Sequence, residues 1–385
     1  MKQQRAYQYR CYPTPSQRQM LAQTFGCVRF VYNWGLRLRT DAYRERGEHV
    51  FYRDTSAALT TLKQQPELAW LNEVSSVPPQ QALRHLEKAF RNFFAGRTAY
   101  PKFKKKRDRQ SAEYTTSAFK WDGSSLLLAK MTEPLPIRWS RPFPKDARPT
   151  TITVSRDAAG RYSVSFLVTE DIRPLPVSSK TVGIDLGLQD VVTLSTGEKT
   201  GTEHFFTKEE KRLATLQRRH AKKQKHSKNR EKARLKAAKL HARIADRRRD
   251  FLHKLTTRLI RENQVICVES LQVKNMLQNH ALAKAIADVG WGELIRQLEY
   301  KATWYGRTLV AIDRFFPSSK RCHGCGYLLD NLDLDVRQWA CPNCDLVHDR
   351  DINAALNVKA AGLAVLACGG AVRPNLNGTR EGTLR

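Results

Sequence analysis

The sequence predicts an α+β chain of more than one domain, a β module interrupted by helices and then a mixed α/β domain. Three observations predict it. Polar–apolar alternation opens the chain at Tyr7, Tyr9 and Cys11 and returns at Thr151–Ser155 and Arg161–Val168, while the stretch between carries helical periodicity. The composition shifts after Pro176. Beyond it, short β-branched runs ending in acids are separated by Lys/Arg/Ala-rich segments of helical spacing.

Taken in order, the first strand ends at Pro13, and Ser16 is read as the cap of a first helix with Met20, Leu21, Phe25, Val28, Val31 and Leu36 in its apolar stripe. After Pro79 a second amphipathic helix carries Leu83, Leu86, Phe90 and Phe93 on one side. Asp157-Ala-Ala-Gly160 is a hairpin signal, and its two strands can pair with the first to close a small sheet or barrel. The helices, at about 15–97, are then an insertion in a β module spanning 1–176. Tyr100-Pro-Lys-Phe-Lys-Lys-Lys-Arg107 combines aromatic and basic residues, which suits phosphate contact and base stacking by Tyr100, Lys102, Phe103 and Lys104.

Val177-Ser-Ser-Lys180 reads as a linker to a second domain, 177–368. Within it, 208–263 reads as a long basic helical hairpin bent near His226-Ser-Lys-Asn229, with Phe251, Leu255 and Leu259 docking one face. The Gly- and Asn-rich segment 369–385 reads as a disordered tail.

The chain has 67 Lys+Arg against 37 Asp+Glu, a net charge of +30, so an anionic partner is expected, and nucleic acid is the obvious one. No stretch approaches the roughly 20 apolar residues of a membrane span, and the N-terminus lacks a signal-type apolar core. A soluble, cytoplasmic, nucleoid-associated protein without membrane partners is expected.

Three acids stand at element ends. Val182-Gly-Ile-Asp185 and Val265-Ile-Cys-Val-Glu269 are apolar strands running into a carboxylate, and Asp351 opens an Ala/Leu helix whose dipole tolerates its charge. Carboxylates gathered in one place repel, and hard divalent cations such as two Mg²⁺ about 3.5–4 Å apart offset that repulsion and support phosphodiester hydrolysis. The order of strands, hairpin, helices and acids suggests an RNase H-like sheet. Asp190, Asp313 and above all Asp349 are rival acids. Cys322, Cys325, Cys341 and Cys344 form C-x2-C-x15-C-x2-C, the spacing of one structural zinc site in a ribbon at 318–348. His323 and His348 could also bind metal, but four cysteines suffice.

These residues resemble the TnpB family, transposon-encoded relatives of type V CRISPR effectors. The resemblance covers nearly the whole chain: Arg29-Phe-Val-Tyr-Asn33, Tyr100-Pro-Lys-Phe103, Gly183-Ile-Asp-Leu-Gly187, Val268-Glu-Ser-Leu271, Asp288-Val-Gly-Trp-Gly292, Phe316-Pro-Ser-Ser319, the CxxC pairs and Asp349-Arg-Asp-Ile-Asn-Ala-Ala355. It implies an N-terminal β-barrel (wedge) with an inserted helical recognition lobe and a C-terminal RuvC nuclease domain with a zinc ribbon. It matches Asp185, Glu269 and Asp351 to the RuvC acids and the four cysteines to the zinc ligands. It also implies a guide RNA from the transposon end, one protein per RNA, and cleavage of double-stranded target DNA beside a short flanking motif. Tyr52, Ser76 and Gln80 correspond to motif-reading positions, although Val77-Pro-Pro-Gln80 departs from the usual helix start. A guided binder that does not cut is disfavoured by the intact acids; a DNA-joining transposase would use similar ones.

Overall fold

Alternation in the first residues becomes β1 (Lys2–Cys11), whose Tyr7, Tyr9 and Cys11 enter the core. The computed structural model describes residues 2–333 and 335–369, so the expected disordered tail lies, apart from Gly369, outside the described residues. Next comes α1 (Pro15–Arg46), and its start corrects the sequence reading: the cap is Thr14, not Ser16. Pro15 takes the first helical position, and Thr14 and Gln17 satisfy each other's backbone N–H groups, a reciprocal pairing that Ser16 cannot make from inside the helix. Two further helices follow, α2 (Tyr52–Leu62) and α3 (Val77–Phe94). Leu21, Phe25, Val28 and Leu36 of α1 face the sheet core, while Cys27 and Val31 join Leu59 and Leu83 in a separate helical cluster.

The remaining strands of this unit are β2 (Gln110–Thr115), β3 (Phe119–Trp121), β4 (Leu126–Leu128), β5 (Ile137–Arg138), β6 (Thr151–Arg156) and β7 (Tyr162–Asp171). Gly160, at φ +77°, supplies the left-handed residue of the tight β6–β7 turn. The antiparallel sheet has the order β2-β6-β7-β1-β5, with β1 paired along its length to β7. This half-barrel leaves β2 and β5 unpaired with each other among the described residues. Two compact units meet between Asp171 and Ile172, where β7 ends.

The second unit begins with β8 (Thr181–Asp185), β9 (Thr193–Leu194), α4 (Phe205–Ala221) and α5 (Lys228–Glu262). Ser227 caps α5 by accepting from the Arg230 N–H, which fixes the bend of this basic hairpin. Then come β10 (Val265–Glu269), α6 (Val273–Met276), α7 (Ala283–Val289), α8 (Trp291–Tyr305), β11 (Thr308–Ile312), β12 (Gln338–Ala340), β13 (Val347–Asp349) and α9 (Arg350–Ala367). The sheet order is β11-β10-β8-β9, with β8, β10 and β11 parallel and β9 antiparallel. Strand alternation sorts the two faces. Val182, Ile184, Ile266 and Val268 pack toward Leu255 and Leu259 of α5 and Leu294 and Leu298 of α8, whereas Cys267, Val310 and Ile312 meet Val358 of α9.

Gly183 lets α9 lie directly on the sheet, since a Cβ there would strike the Ala355 carbonyl and come within 2.6 Å of the Lys359 nitrogen. Gly183→Ala is therefore expected to destabilise the protein by about 1–3 kcal/mol through overpacking. Gly292→Ala, in α8 with open space around its position, should be neutral or stabilising. Urea melts of the two variants check this; equal midpoints would contradict the packing argument.

Candidate active site and metal centre

The alternation that buries Val182 and Ile184 turns Gly183 and Asp185 to the α9 face, and on β10 it turns Cys267 and Glu269 the same way. Val268 is in register with Ile184, so Glu269 and Asp185 end adjacent parallel strands side by side. Above them α9 packs along β8, with Asp351 in its first turn, one turn before the Ala355 that rests on Gly183. The carboxyl of Asp185 is pushed up to about 8, first by burial and then by the charges of Glu269 and Asp351, with Arg350 and Lys199 pulling the other way. Burial also raises Glu269, against a hydrogen bond of 2.5 Å donated by the Ser318 hydroxyl. Asp185 therefore lies within electrostatic reach of both other acids. The three are not crowded together: among the described residues, only the cysteines form a group of ligand atoms all within 4.8 Å of one another.

The rival acids have other work. Asp349 caps α9, accepting from the N–H groups of Asp351 and Ile352 at 3.1 and 3.0 Å, and pairs with Lys199 at 2.9 Å. Burial opposes its ionisation, but Lys199 and the two backbone donors outweigh that and hold the carboxyl below its ordinary value. Asp313 accepts from the Phe315 N–H in a turn, and Asp190 from the Gly201 N–H. Sequence reasoning missed two cations beside Asp351: Lys199 and Arg337, each 3.7 Å from a carboxylate oxygen. Lys199 follows the short β9, and nothing local in the sequence ties it to residues 150 positions away.

The ligand atoms of Cys322, Cys325, Cys341 and Cys344 lie within 4.8 Å of one another, with sulfur–sulfur distances of 3.7 Å for Cys322–Cys344 and 3.6 Å for Cys325–Cys341. Four thiolates at about 2.3 Å from one zinc ion have tetrahedral edges of about 3.8 Å, so the residues fit that ion. Cys322, Cys341 and Trp339 form a small core with Leu329, Leu332 and Val336 around them. His348 is buried, with Nε2 at 3.1 Å from the Cys322 sulfur, and His323 lies against Asn353; neither is needed as a ligand.

On the other unit, Ser76 and Gln80 are exposed at the start of α3, four residues apart. The next residue of that stripe, Arg84, donates to the Tyr52 hydroxyl at 3.2 Å and lies over the Tyr52 ring, so it joins the candidates Tyr52, Ser76 and Gln80. Lys102 and Phe103 are exposed. Tyr100 is half-exposed, hydrogen-bonded to Thr40 and set edge-on against Phe90 and Phe93. Lys104 is set deeper than Lys102 and Phe103. Its ammonium sits 4.1 Å from the Tyr32 ring centroid, burial lowers its pKa, and Asn33 bonds both its N–H and its carbonyl. Asn33 thus fastens the aromatic-basic loop to α1, a role its motif did not announce.

Three family models match the chain: "Probable transposase" (OrfB, IS605 type) over 163–280, "Cas12f1-like, TNB domain" over 291–358, and "Helix-turn-helix domain" over 1–48. In the structure that last stretch holds β1 and the single long helix α1. A Streptomyces pristinaespiralis protein named "Putative RNA-guided DNA endonuclease" is 56% identical over 98% of this chain and 94% of its own length. Escherichia coli (strain K12) has "Putative RNA-guided DNA endonuclease InsQ", 32% identical over 96% of this chain and 95% of that one. A Cas12f1 chain, solved in a complex with sgRNA and target DNA, matches the fold at a TM-score of 0.60 and 12% identity, covering 93% of this chain and 99% of that one.

Proposed function

Because the chain belongs to the TnpB family, we propose that it is an RNA-guided, Mg²⁺-dependent DNA endonuclease encoded by a bacterial transposon. The observation that carries the reading is the placement of Asp185, Glu269 and Asp351 on one face at one end of a parallel sheet, with interacting charges. An all-oxygen donor set, partly buried and with Asp185 raised by the charges of the other two acids, fits a hard divalent cation. Such cations, when bound, would activate a water and stabilise the leaving oxygen of a phosphodiester. Asp185, Glu269 and Asp351 would hold them; Lys199 and Arg337 would stay close enough to the same acids to meet a phosphate. The four cysteines would hold a zinc ion that fixes a ribbon (318–348) inserted in a RuvC-type domain (177–368), without an open position for chemistry.

The partners in this reading are a guide RNA from the transposon end and double-stranded target DNA, with one protein per RNA. Base pairing would read the target, while the basic hairpin α4–α5 would meet backbone phosphates and the Lys2–Asp171 unit, completed as a barrel, would read a flanking motif through Tyr52, Ser76, Gln80 and Arg84. Tyr100, Lys102 and Phe103 would supply stacking and phosphate contact. Action on DNA in the bacterial cytoplasm and nucleoid belongs to the same reading; among the described residues no helix is long and apolar enough to cross a membrane.

The direct test is to express the protein with its flanking transposon DNA, sequence the RNA that copurifies, and offer the complex a DNA library with Mg²⁺. Guide-matched cutting beside a fixed motif is expected. The description "Probable transposase" favours a second reading, a DNA-joining enzyme. Strand transfer without any RNA requirement would replace the first reading with that one.

A further inference from the structure

We infer that Ser318, Asn353 and Asn357 are positioning residues that couple the four-cysteine centre to the acid site, so that filling either centre tightens cation binding at the other. The inference rests on the nuclease reading of the acids. It starts from two residues that a helix interior rarely buries: Asn353 and Asn357 are 1% and 4% exposed, one turn apart on α9. Neither caps the helix. Both reach out of it to the loop before the first CxxC pair.

Asn353 donates to the Arg321 carbonyl at 2.8 Å and, at longer range, to those of Ser319 and Ser318, while its side-chain oxygen accepts from the His323 N–H at 3.1 Å. Asn357 donates to the same Arg321 carbonyl at 2.5 Å and to the Ser318 carbonyl at 2.9 Å. Arg321 and His323 flank Cys322. The two amides therefore grip the backbone on both sides of one thiolate, and the grip runs back to Ser318. Ser318 is itself buried, and its hydroxyl donates to Glu269 Oε1. Its carbonyl is held by the helix whose first turn carries Asp351, two residues before Asn353.

One short stretch, 318–323, thus has a zinc-type thiolate at one end and a hydrogen bond to a candidate catalytic carboxylate at the other. Buried amide groups cost free energy when unpaired, so the asparagines favour the loop geometry in which all their partners are present. A metal in the cysteines stabilises that same geometry. The loop is then populated in one arrangement, in which Ser318 orients Glu269 against Asp185. Coupling through a shared element is reciprocal by thermodynamic necessity, and typical couplings are about 5- to 150-fold.

The test uses the full-length protein with its copurified RNA and no DNA, so that nothing turns over. Mn²⁺ affinity is measured by electron paramagnetic resonance for the wild type, Ser318→Ala and Ser318→Thr, alongside zinc content and melting temperature. Zinc release to a chromogenic chelator is timed with and without saturating Mn²⁺. We expect Ser318→Ala to weaken Mn²⁺ binding about tenfold with zinc content unchanged, and Ser318→Thr, which keeps the hydroxyl, to restore it. Mn²⁺ should slow zinc release from the wild type and much less from Ser318→Ala. Equal Mn²⁺ affinity in all three proteins, or zinc release indifferent to Mn²⁺, overturns the coupling. A wild type that binds no Mn²⁺ overturns both the coupling and the metal reading of the acids, and so tells the two failures apart.

Discussion

Asp185→Asn is expected to abolish guided cleavage, by about a thousandfold or more, while leaving RNA copurification and the folded core intact. The substitution keeps shape and burial but removes one of the three carboxylates proposed to hold the cations, and a loss of about 4 kcal/mol of transition-state stabilisation corresponds to that factor. Glu269→Gln and Asp351→Asn should behave alike, because the three charges act on one site. A second readout follows from the raised pKa. The Asp185 carboxyl sits near 8 in the folded metal-free protein against about 4 in the unfolded chain, so the folded state binds the proton more tightly. Stability without metal should therefore fall as pH rises from about 4 through about 8. Glu269, also raised, adds to the same slope. Asp185→Asn should flatten the curve in part, and a divalent cation should flatten it for the wild type. Melting curves at a series of pH values, with and without Mg²⁺, decide it; an identical slope in wild type and Asp185→Asn would contradict the buried-charge account.

The second large effect is loss of the ribbon when a thiolate is removed. Structural zinc in small cysteine sites contributes an apparent ~10–16 kcal/mol of folding free energy, far more than the few apolar side chains around Cys322, Trp339 and Cys341 can replace. Cys341→Ser, at a buried ligand, should release the metal, expose residues 318–348 to proteolysis and stop cutting. The Lys2–Asp171 unit has its own core around Tyr9, Tyr114 and Phe166 and should stay protected. Limited proteolysis with mass spectrometry, before and after chelation, reads both halves. An unchanged digestion pattern in the chelated protein would contradict a structural metal.

Much of this was legible because it is written in local pattern. The period-2 alternation of Tyr7, Tyr9 and Cys11 made β1, and the β-branched runs ending at Asp185 and Glu269 became neighbouring parallel strands. The cysteine spacing placed four sulfurs together. What stayed hidden depends on contacts between distant residues. Lys199 meets Asp349 only because β9 folds back along β8, and Ser318 meets Glu269 only because the loop after β11 returns over β10. The sequence does not distinguish Lys104 from its basic neighbours, yet its backbone is bonded to Asn33 and its ammonium lies over the Tyr32 ring. Thr14 capped α1 in place of Ser16 because the capping pair depends on Gln17 three residues on, a spacing that a search for a lone serine overlooks.

In the proposed function RNA, not protein side chains, would select the DNA to be cut at the Asp185 site. The most direct measurement replaces the guide segment of the copurified RNA with an unrelated sequence and maps the ends produced from a plasmid carrying both the old and the new target beside the same flanking motif. The cut should move to the new target, leave the old one intact, and vanish in Asp185→Asn. A cut that stays at the old target, or that persists without RNA, would contradict that function.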